Sequence, residues 1–383
     1  MIEKIVKVGI NNLVNIVTPF LLMVIILKRL DLDEYGTIIK YQSIAMVHFL
    51  IIEWGFYSYA KKKMSKLNKI KISVIQGEIL LSKLLIYILS CLLIILLYYI
   101  KIIDKEYLYM ILYPFFLSCN SPYYLIVQDR DLEAIIINLI SKSFLIIGVV
   151  YFFTNKSDYL SLLTVSTFVG AVIYNRDIKF RLQKMRIFFR IKESKEIFFA
   201  NFCGGFYTYS IPIILSFSFN NSQIAIYGVH EKVTSILKMI FQIVSNAVTP
   251  SEIRNNFANI KKWMLLSLGM SIFYAGLLYL LKEELQSLLN TVIYDNYLVL
   301  FFISSLLSGL VIFYSQTYFL HKYATNIYKN IVVISALLGV FLLLIVARLN
   351  SLSLVIGCVA FIELTILLWM KKKDYDLSYK PKH

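Results

Sequence analysis

Apolar residues in this chain fall into long runs separated by short polar breaks. Residues 8–27, 77–100, 328–347 and 350–370 each form a run of the roughly 20 residues that a helix needs to cross the hydrocarbon core. Read throughout, the pattern predicts twelve spans, near 8–27, 38–60, 77–100, 107–127, 133–153, 159–175, 197–218, 226–249, 262–281, 295–319, 328–347 and 350–370. The sixth is short and the eighth carries charge. Helices are expected because lipid offers no partner to open backbone groups. The short alternating segments of a membrane β-barrel are not seen.

Composition sharpens this. Of 383 residues, 59% are hydrophobic and only 16% charged, against about a quarter charged in an average soluble chain. The net charge of +16 would suit a nucleic-acid partner, but the basic residues sit in short loops between apolar runs, where they orient spans. With the N-terminus taken as cytoplasmic, the N-terminus, the even-numbered loops and the C-terminal tail hold 27 Lys and Arg. They include Lys61, Lys62, Lys63, Lys66, Lys69 and Lys71 in one loop, a run from Arg176 to Lys195, and Lys371, Lys372 and Lys373. The odd-numbered loops hold 7: Lys28, Arg29, Lys101, Lys105, Lys156, Lys282 and Arg348. This asymmetry predicts two cytoplasmic termini and no nucleic-acid partner. Lys4 and Lys7 precede an apolar run without a small-residue cleavage site, which predicts an uncleaved first span. Cys91, Cys119, Cys203 and Cys358 are far apart and read as apolar filler.

The halves repeat a pattern. The first reads Asn12, Pro19, Tyr35-Gly36 and Lys40; the second reads Asn201, Pro212, Tyr227-Gly228 and Lys232. The Tyr-Gly-x-x-x-Lys elements are 192 positions apart. The expected fold is therefore all-α and integral to the membrane, with two six-helix bundles related by a parallel repeat, as in many transporters. Its parts would be residues 1–176, a basic cytoplasmic linker 177–196, a second bundle 197–370 and a basic cytoplasmic tail 371–383.

Polar groups within spans are costly and tend to face a cavity or one another. In the eighth span Glu231, Ser235, Lys238, Gln242, Ser245 and Thr249 fall within about 40° of one line, a polar stripe expected to line water. Thr234 and Asn246 flank it. The competing reading is a helix glued to its neighbours. The embedded cations Lys40, Lys83, Lys142, Lys232 and Lys238 outnumber the acids Glu53, Glu231 and Glu363. Lys238 is the hardest to explain by snorkelling; the other four lie nearer to span ends. A cavity with excess cation suits an anionic head group. Glu53, Glu363 and His48 are candidates for proton or sodium coupling, or structural partners. No phosphate loop, dinucleotide fingerprint, zinc motif or nucleophile elbow is present, so neither catalysis nor a cofactor or metal is expected.

Asn11-Asn12, Pro19-Phe20, Arg29-Leu30, Tyr35-Gly36 and Glu53-Trp54-Gly55-Phe56, followed by Ala200-Asn201, Tyr227-Gly228 and Ala247-Val248-Thr249-Pro250, resemble the Wzx-type O-antigen and polysaccharide flippases of bacterial inner membranes. The likeness covers most of the chain as topology and about a hundred residues as pattern. It implies the fold of the multidrug, oligosaccharidyl-lipid and polysaccharide exporter superfamily, two six-helix bundles in a V around a central cavity. It implies a substrate, an oligosaccharide on undecaprenyl pyrophosphate, moved from the cytoplasmic to the periplasmic leaflet by alternating access. The embedded lysines would meet the pyrophosphate. Membrane lipids, a polysaccharide polymerase and a chain-length regulator are the expected partners. The alternatives are a multidrug exporter of the same superfamily, whose cavity would favour acids, a lipid II flippase, which typically has fourteen spans, and a membrane-embedded polysaccharide polymerase, which would carry a large outward loop.

Overall fold

The computed structural model describes residues 2–64, 67–101, 103–128, 130–178, 184–254, 256–319, 322 and 325–379. Lys66 and residues 179–183 of the predicted linker lie outside these, as do the side chains of Asn11, Asn12, Lys61, Lys62, Ala200, Ala247 and Pro250. The described residues are helical with no strand. The order is α1 (Ile2–Leu27), α2 (Leu32–Glu53), α3 (Phe56–Met64), α4 (Lys69–Tyr99), a 3₁₀ turn (Lys105–Met110), α5 (Tyr113–Cys119), α6 (Pro122–Ile126), α7 (Asp131–Phe152), α8 (Lys156–Tyr174), α9 (Lys184–Leu215), α10 (Asn221–Arg254), α11 (Ile260–Leu280), α12 (Lys282–Leu289), α13 (Asp295–Tyr314), a π turn (Ser315–Phe319), α14 (Thr325–Ala347) and α15 (Leu352–Tyr379).

Nine helices among the described residues are long and apolar enough to cross a membrane. The other three predicted spans fail that test for different reasons. In α1 the qualifying described stretch is short, Val17–Leu27. The α10 helix carries charges along its length. The fourth span, predicted as one helix over 107–127, is instead three pieces: the 3₁₀ turn, α5 and α6. Pro114 and Pro122 begin the last two pieces, and proline can start a helix but not donate within one. The breaks free backbone carbonyls, and side chains satisfy them. Lys83 Nζ donates to the Ser118 carbonyl, and Asn175 Nδ2 donates to the Cys119 carbonyl at 2.7 Å. Residues 184–196 of the predicted linker are helical and run straight into the seventh span as the start of α9.

Helix boundaries follow local chemistry. Asp31 Oδ1 accepts the Glu34 amide at the start of α2, Asn68 accepts the Lys71 amide at the start of α4, and Asn155 with Asp158 forms a capping box on α8. Between α2 and α3, Trp54 (φ 46°) and Gly55 (φ 71°) turn left-handed. A Cβ on Gly55 would lie 2.8 Å from the Phe198 backbone nitrogen, so this turn needs glycine.

By contact, the chain forms two compact units: residues 1–36 with 214–383, and residues 37–213. The first span of each sequence half thus packs with helices of the other half. In the unit containing the C-terminus, α10 packs against α13, α11 and α1, and α13 against α15. The α10–α13 contact is tight because Gly309 leaves room for the buried Phe241 ring; a Cβ there would come within 2.2 Å of it. The first Tyr-Gly element has a similar role. A Cβ on Gly36 would sit 1.8 Å from the Asn221 carbonyl oxygen, so glycine lets the start of α10 touch the start of α2. Asn221 Nδ2 also donates to Asp33 Oδ2 at 3.2 Å.

Candidate functional site: embedded charges and a polar stripe

On α10 the packed face comprises His230, Thr234, Leu237, Phe241, Ser245, Val248 and Glu252, all buried. It is centred about 80° around the helix from the Glu231–Thr249 line. The stripe therefore lies beside the packed face. Glu231, Ser235, Lys238 and Thr249 are half-buried and Gln242 is exposed. Ser245, at the edge of both faces, meets the Thr317 hydroxyl at 2.8 Å. Ser235 and Thr249 donate to the Lys232 and Ser245 carbonyls of their own helix, at 2.7 and 2.6 Å, which leaves their lone pairs outward. Glu231 acts electrostatically on Tyr35 and Tyr227.

The five embedded lysines separate by environment. Lys83 is fully buried, 0% exposed, and cannot snorkel. Its ammonium donates to Glu53 Oε2 at 2.6 Å as well as to the Ser118 carbonyl, and it faces the Tyr123 ring at 6.0 Å. Glu53 in turn accepts the Tyr57 amide at 2.6 Å, capping α3. Lys238 on α10 interacts electrostatically with Glu363 on α15, and Glu363 hydrogen-bonds the Ser308 side chain on α13. Lys83 and Glu53 thus form a direct ion pair in one unit, whereas Lys238 and Glu363 in the other interact without a direct salt bridge among the described residues. Lys232 donates to the buried Tyr35 hydroxyl at 3.0 Å and lies 5.3 Å from its ring centre.

Lys142 is different. It is the twelfth of 22 residues in α7, so about 15 Å of helix lies on either side of it. That is farther than a lysine can snorkel. It is half-buried, on the flank of α7 next to the packed Ser141, and makes no hydrogen bond or ion pair with any described residue. Its surroundings perturb it by burial alone. Lys40, ninth in α2, is also half-buried and has no such partner among the described residues. Both belong to the unit of residues 37–213. His48 is buried in the same unit. One ring nitrogen, Nε2, meets Ser90 Oγ at 2.6 Å, the ring stacks on Tyr87, and Nδ1 is buried without a described partner.

Three buried polar groups were not anticipated. Glu78, second in the predicted third span, is paired with Arg190 at 2.8 Å and Arg186 at 3.4 Å. Its signal was in plain view as a carboxylate in an apolar run. Glu252, 1% exposed, accepts the Asn259 amide at 3.0 Å and Trp263 Nε1 at 3.1 Å, closing the left-handed turn at Asn256 and Phe257. His230 Nδ1 lies 2.8 Å from the Ile226 carbonyl, and Nε2 accepts the Tyr294 amide at 3.2 Å. This fixes the neutral tautomer with the proton on Nδ1. No group of His, Cys, Asp and Glu among the described residues is arranged to hold a metal ion.

No family model and no curated protein sequence matches the chain. Solved structures share its fold. An inward-facing multidrug resistance MATE family transporter of the MOP superfamily aligns with a TM-score of 0.65 and 10% identity, over 96% of this chain and 95% of that one. The MATE multidrug transporter DinF-BH aligns at 0.65 and 11%, over 97% of this chain and 94% of that one. The lipid II flippase MurJ, inward closed, aligns at 0.68 and 15%, over 95% of this chain and 87% of that one. These likenesses show the fold, all-helical and spanning a membrane many times, as the hydrophobic pattern predicts.

Proposed function

We propose that this protein is a flippase that carries a lipid-linked oligosaccharide with an anionic phosphate head across a bacterial inner membrane by alternating access. The observation that carries this is Lys142, a half-buried cation at mid-span with no described partner. An unmatched ammonium at that depth is expensive, and an anion that visits during transport offsets the expense. Lys40 has the same character. Lys83 already answers to Glu53 and Lys232 to Tyr35, and Lys238 acts electrostatically on Glu363. The reading therefore assigns head-group recognition to Lys142 and Lys40, and shape and coupling to these other lysines. The half-exposed hydroxyls and amide along α10 suit the hydroxyls of a sugar. The MurJ fold neighbour, a lipid II flippase by name, supports the substrate class; the MATE neighbours keep a multidrug exporter as the rival.

Complementation separates the two. In a strain lacking its own polysaccharide flippase, the wild-type chain restores surface polysaccharide, and Lys142→Ala leaves lipid-linked repeat units stranded on the inner leaflet although the protein inserts normally. Restoration by Lys142→Ala at wild-type level removes Lys142 from recognition. Drug resistance conferred by the chain without complementation favours the exporter. Proton or sodium coupling belongs to this proposal through Glu53, Glu363 and His48, and a transport assay with each gradient collapsed in turn tests it. Dependence on a polymerase or chain-length regulator is tested by co-purification.

A further inference from the structure

Only seven Lys and Arg lie on the loops that the charge pattern places outside. Three of them, Lys101, Lys105 and Lys156, line a single pocket of about 580 Å³. They come from two loops some fifty residues apart in sequence, so the convergence is a product of folding. Tyr98 and Tyr99 form its other wall, their rings 6.2 Å apart and edge to face, and both are exposed. The pocket is built on a fixed base. Ile103 is buried, and Asp104 Oδ2 accepts the hydroxyl of the buried Tyr41 at 2.9 Å. Lys101 is held in a left-handed conformation, φ 59°, with its amide bonded to the Tyr98 carbonyl at 3.0 Å. A lysine rarely adopts this conformation unaided, and such strain gathers where a side chain must be aimed.

The charges are uneven. Lys156 is paired with Glu106 at 2.9 Å, and Asp104 is engaged by Tyr41. Lys101 and Lys105 form no ion pair with any described residue. Anchoring lysines and tyrosines at a membrane surface are normally spread around the circumference; these meet at one place. In the other unit, Lys28 shares a surface pocket with Glu283 and Glu284, where carboxylates predominate.

We propose that the pocket formed by Tyr98, Tyr99, Lys101, Lys105 and Lys156 binds the phosphate group of a lipid head on the outer side of the membrane. Lys101 and Lys105, which form no ion pair with any described residue in a lining whose net charge with Lys156, Asp104 and Glu106 is +1, hold the phosphate oxygens, and the tyrosine pair covers the adjoining glycerol or sugar at the level of the head groups. The inference is about binding and holds for any transported substrate. The phosphate can belong to a resident phospholipid or to the pyrophosphate head of a delivered lipid.

The test uses the full-length protein in detergent micelles, with bound lipids counted by native mass spectrometry. The probes are phosphatidylglycerol, a short-chain polyprenyl pyrophosphate and, as a zwitterionic reference, phosphatidylcholine. The variant K101N/K105Q, which keeps a residue tolerant of the left-handed turn, should lose about tenfold or more in affinity for the anionic lipids, with phosphatidylcholine unchanged. K101R/K105R should retain wild-type binding, which separates charge from folding. K28Q/R348Q, which removes the same outward charge elsewhere, should change affinity less than about threefold. Loss confined to phosphatidylglycerol identifies a resident phospholipid, loss confined to the pyrophosphate identifies a delivered head group, and loss of both confirms the shared phosphate chemistry. Wild-type affinity in K101N/K105Q for both anionic lipids, or an equal loss in K28Q/R348Q, overturns the proposal.

Discussion

Lys83 is enclosed on all sides, and its ammonium donates hydrogen bonds to Glu53 and to the Ser118 carbonyl. A buried pair of this kind contributes little over an apolar replacement, but removing one partner strands the other. Lys83→Ala should therefore destabilise the protein by about 3–5 kcal/mol, and the double change Lys83→Met with Glu53→Gln should cost much less. Thermal unfolding in one detergent measures both; equal losses would show that packing, not the stranded carboxylate, sets the effect. Glu193, at the foot of α9, offers a pH test. Burial pushes its carboxyl up, but hydrogen bonds from Tyr59 and Lys63 outweigh this and hold it below the ordinary carboxylate range. A depressed folded-state value stabilises the fold above the unfolded-state value, and this stabilisation is lost as pH falls through the folded-state value. Glu193→Gln should therefore lower the melting temperature at pH 7, with the gap to wild type closing as the pH drops below about 4. A gap that does not change with pH would assign the effect to shape. At this scale the sequence identified the embedded lysines but not their fates. The electrostatic interaction of Lys238 with Glu363 joins positions 125 apart, and no local spacing reveals it. The isolation of Lys142 is likewise invisible until the neighbouring helices are in place.

At the scale of elements, hydrophobic runs predicted most spans to within a few residues, because lipid leaves a long apolar run little choice but to be a helix. The fourth span was misread for a chemical reason. Its apolar content is high, but Pro114 and Pro122 interrupt the ladder, and the cost is met by Lys83 and Asn175 from elsewhere in the chain. The Tyr-Gly elements were legible as a repeat and not as a contact. Gly36 now has a physical duty, since any side chain there collides with backbone, which cannot rotate aside. Gly36→Ala should reduce folded yield severely, while alanine at Gly269, around which nothing lies within 4 Å, should be tolerated or slightly stabilising in its helix. Size-exclusion profiles of the two variants give the comparison, and a well-folded Gly36→Ala protein would contradict the close approach.

For the molecule as a whole, the charge of the loops remains the basis for orientation. In a background without Cys91, Cys119, Cys203 and Cys358, Lys156→Cys should react with a membrane-impermeant maleimide added to intact spheroplasts, and Lys371→Cys should react only after lysis. The reverse pattern would invert the topology. The two units add something that the repeat alone did not state: α1 packs with residues of the second half, and most of α9 with the first. A sequence repeat reports that the halves are alike. It does not report which helices they exchange, because that is decided by contacts such as Gly36 on Asn221 and Gly205 against Leu50.

The broken fourth span has a consequence for how the chain is made. A helix leaving the translocon is self-sufficient in lipid, but residues 105–126 are not, because the Ser118 and Cys119 carbonyls need donors from α4 and from Asn175, just past α8. Until Asn175 has been synthesised, the Cys119 carbonyl lacks its amide donor. The local donor to that carbonyl is the Ser121 hydroxyl at 3.1 Å, and its bonding is complete only when Asn175 joins it. In chain order, then, the fourth span is left with an incomplete set of partners until the sixth span has followed it.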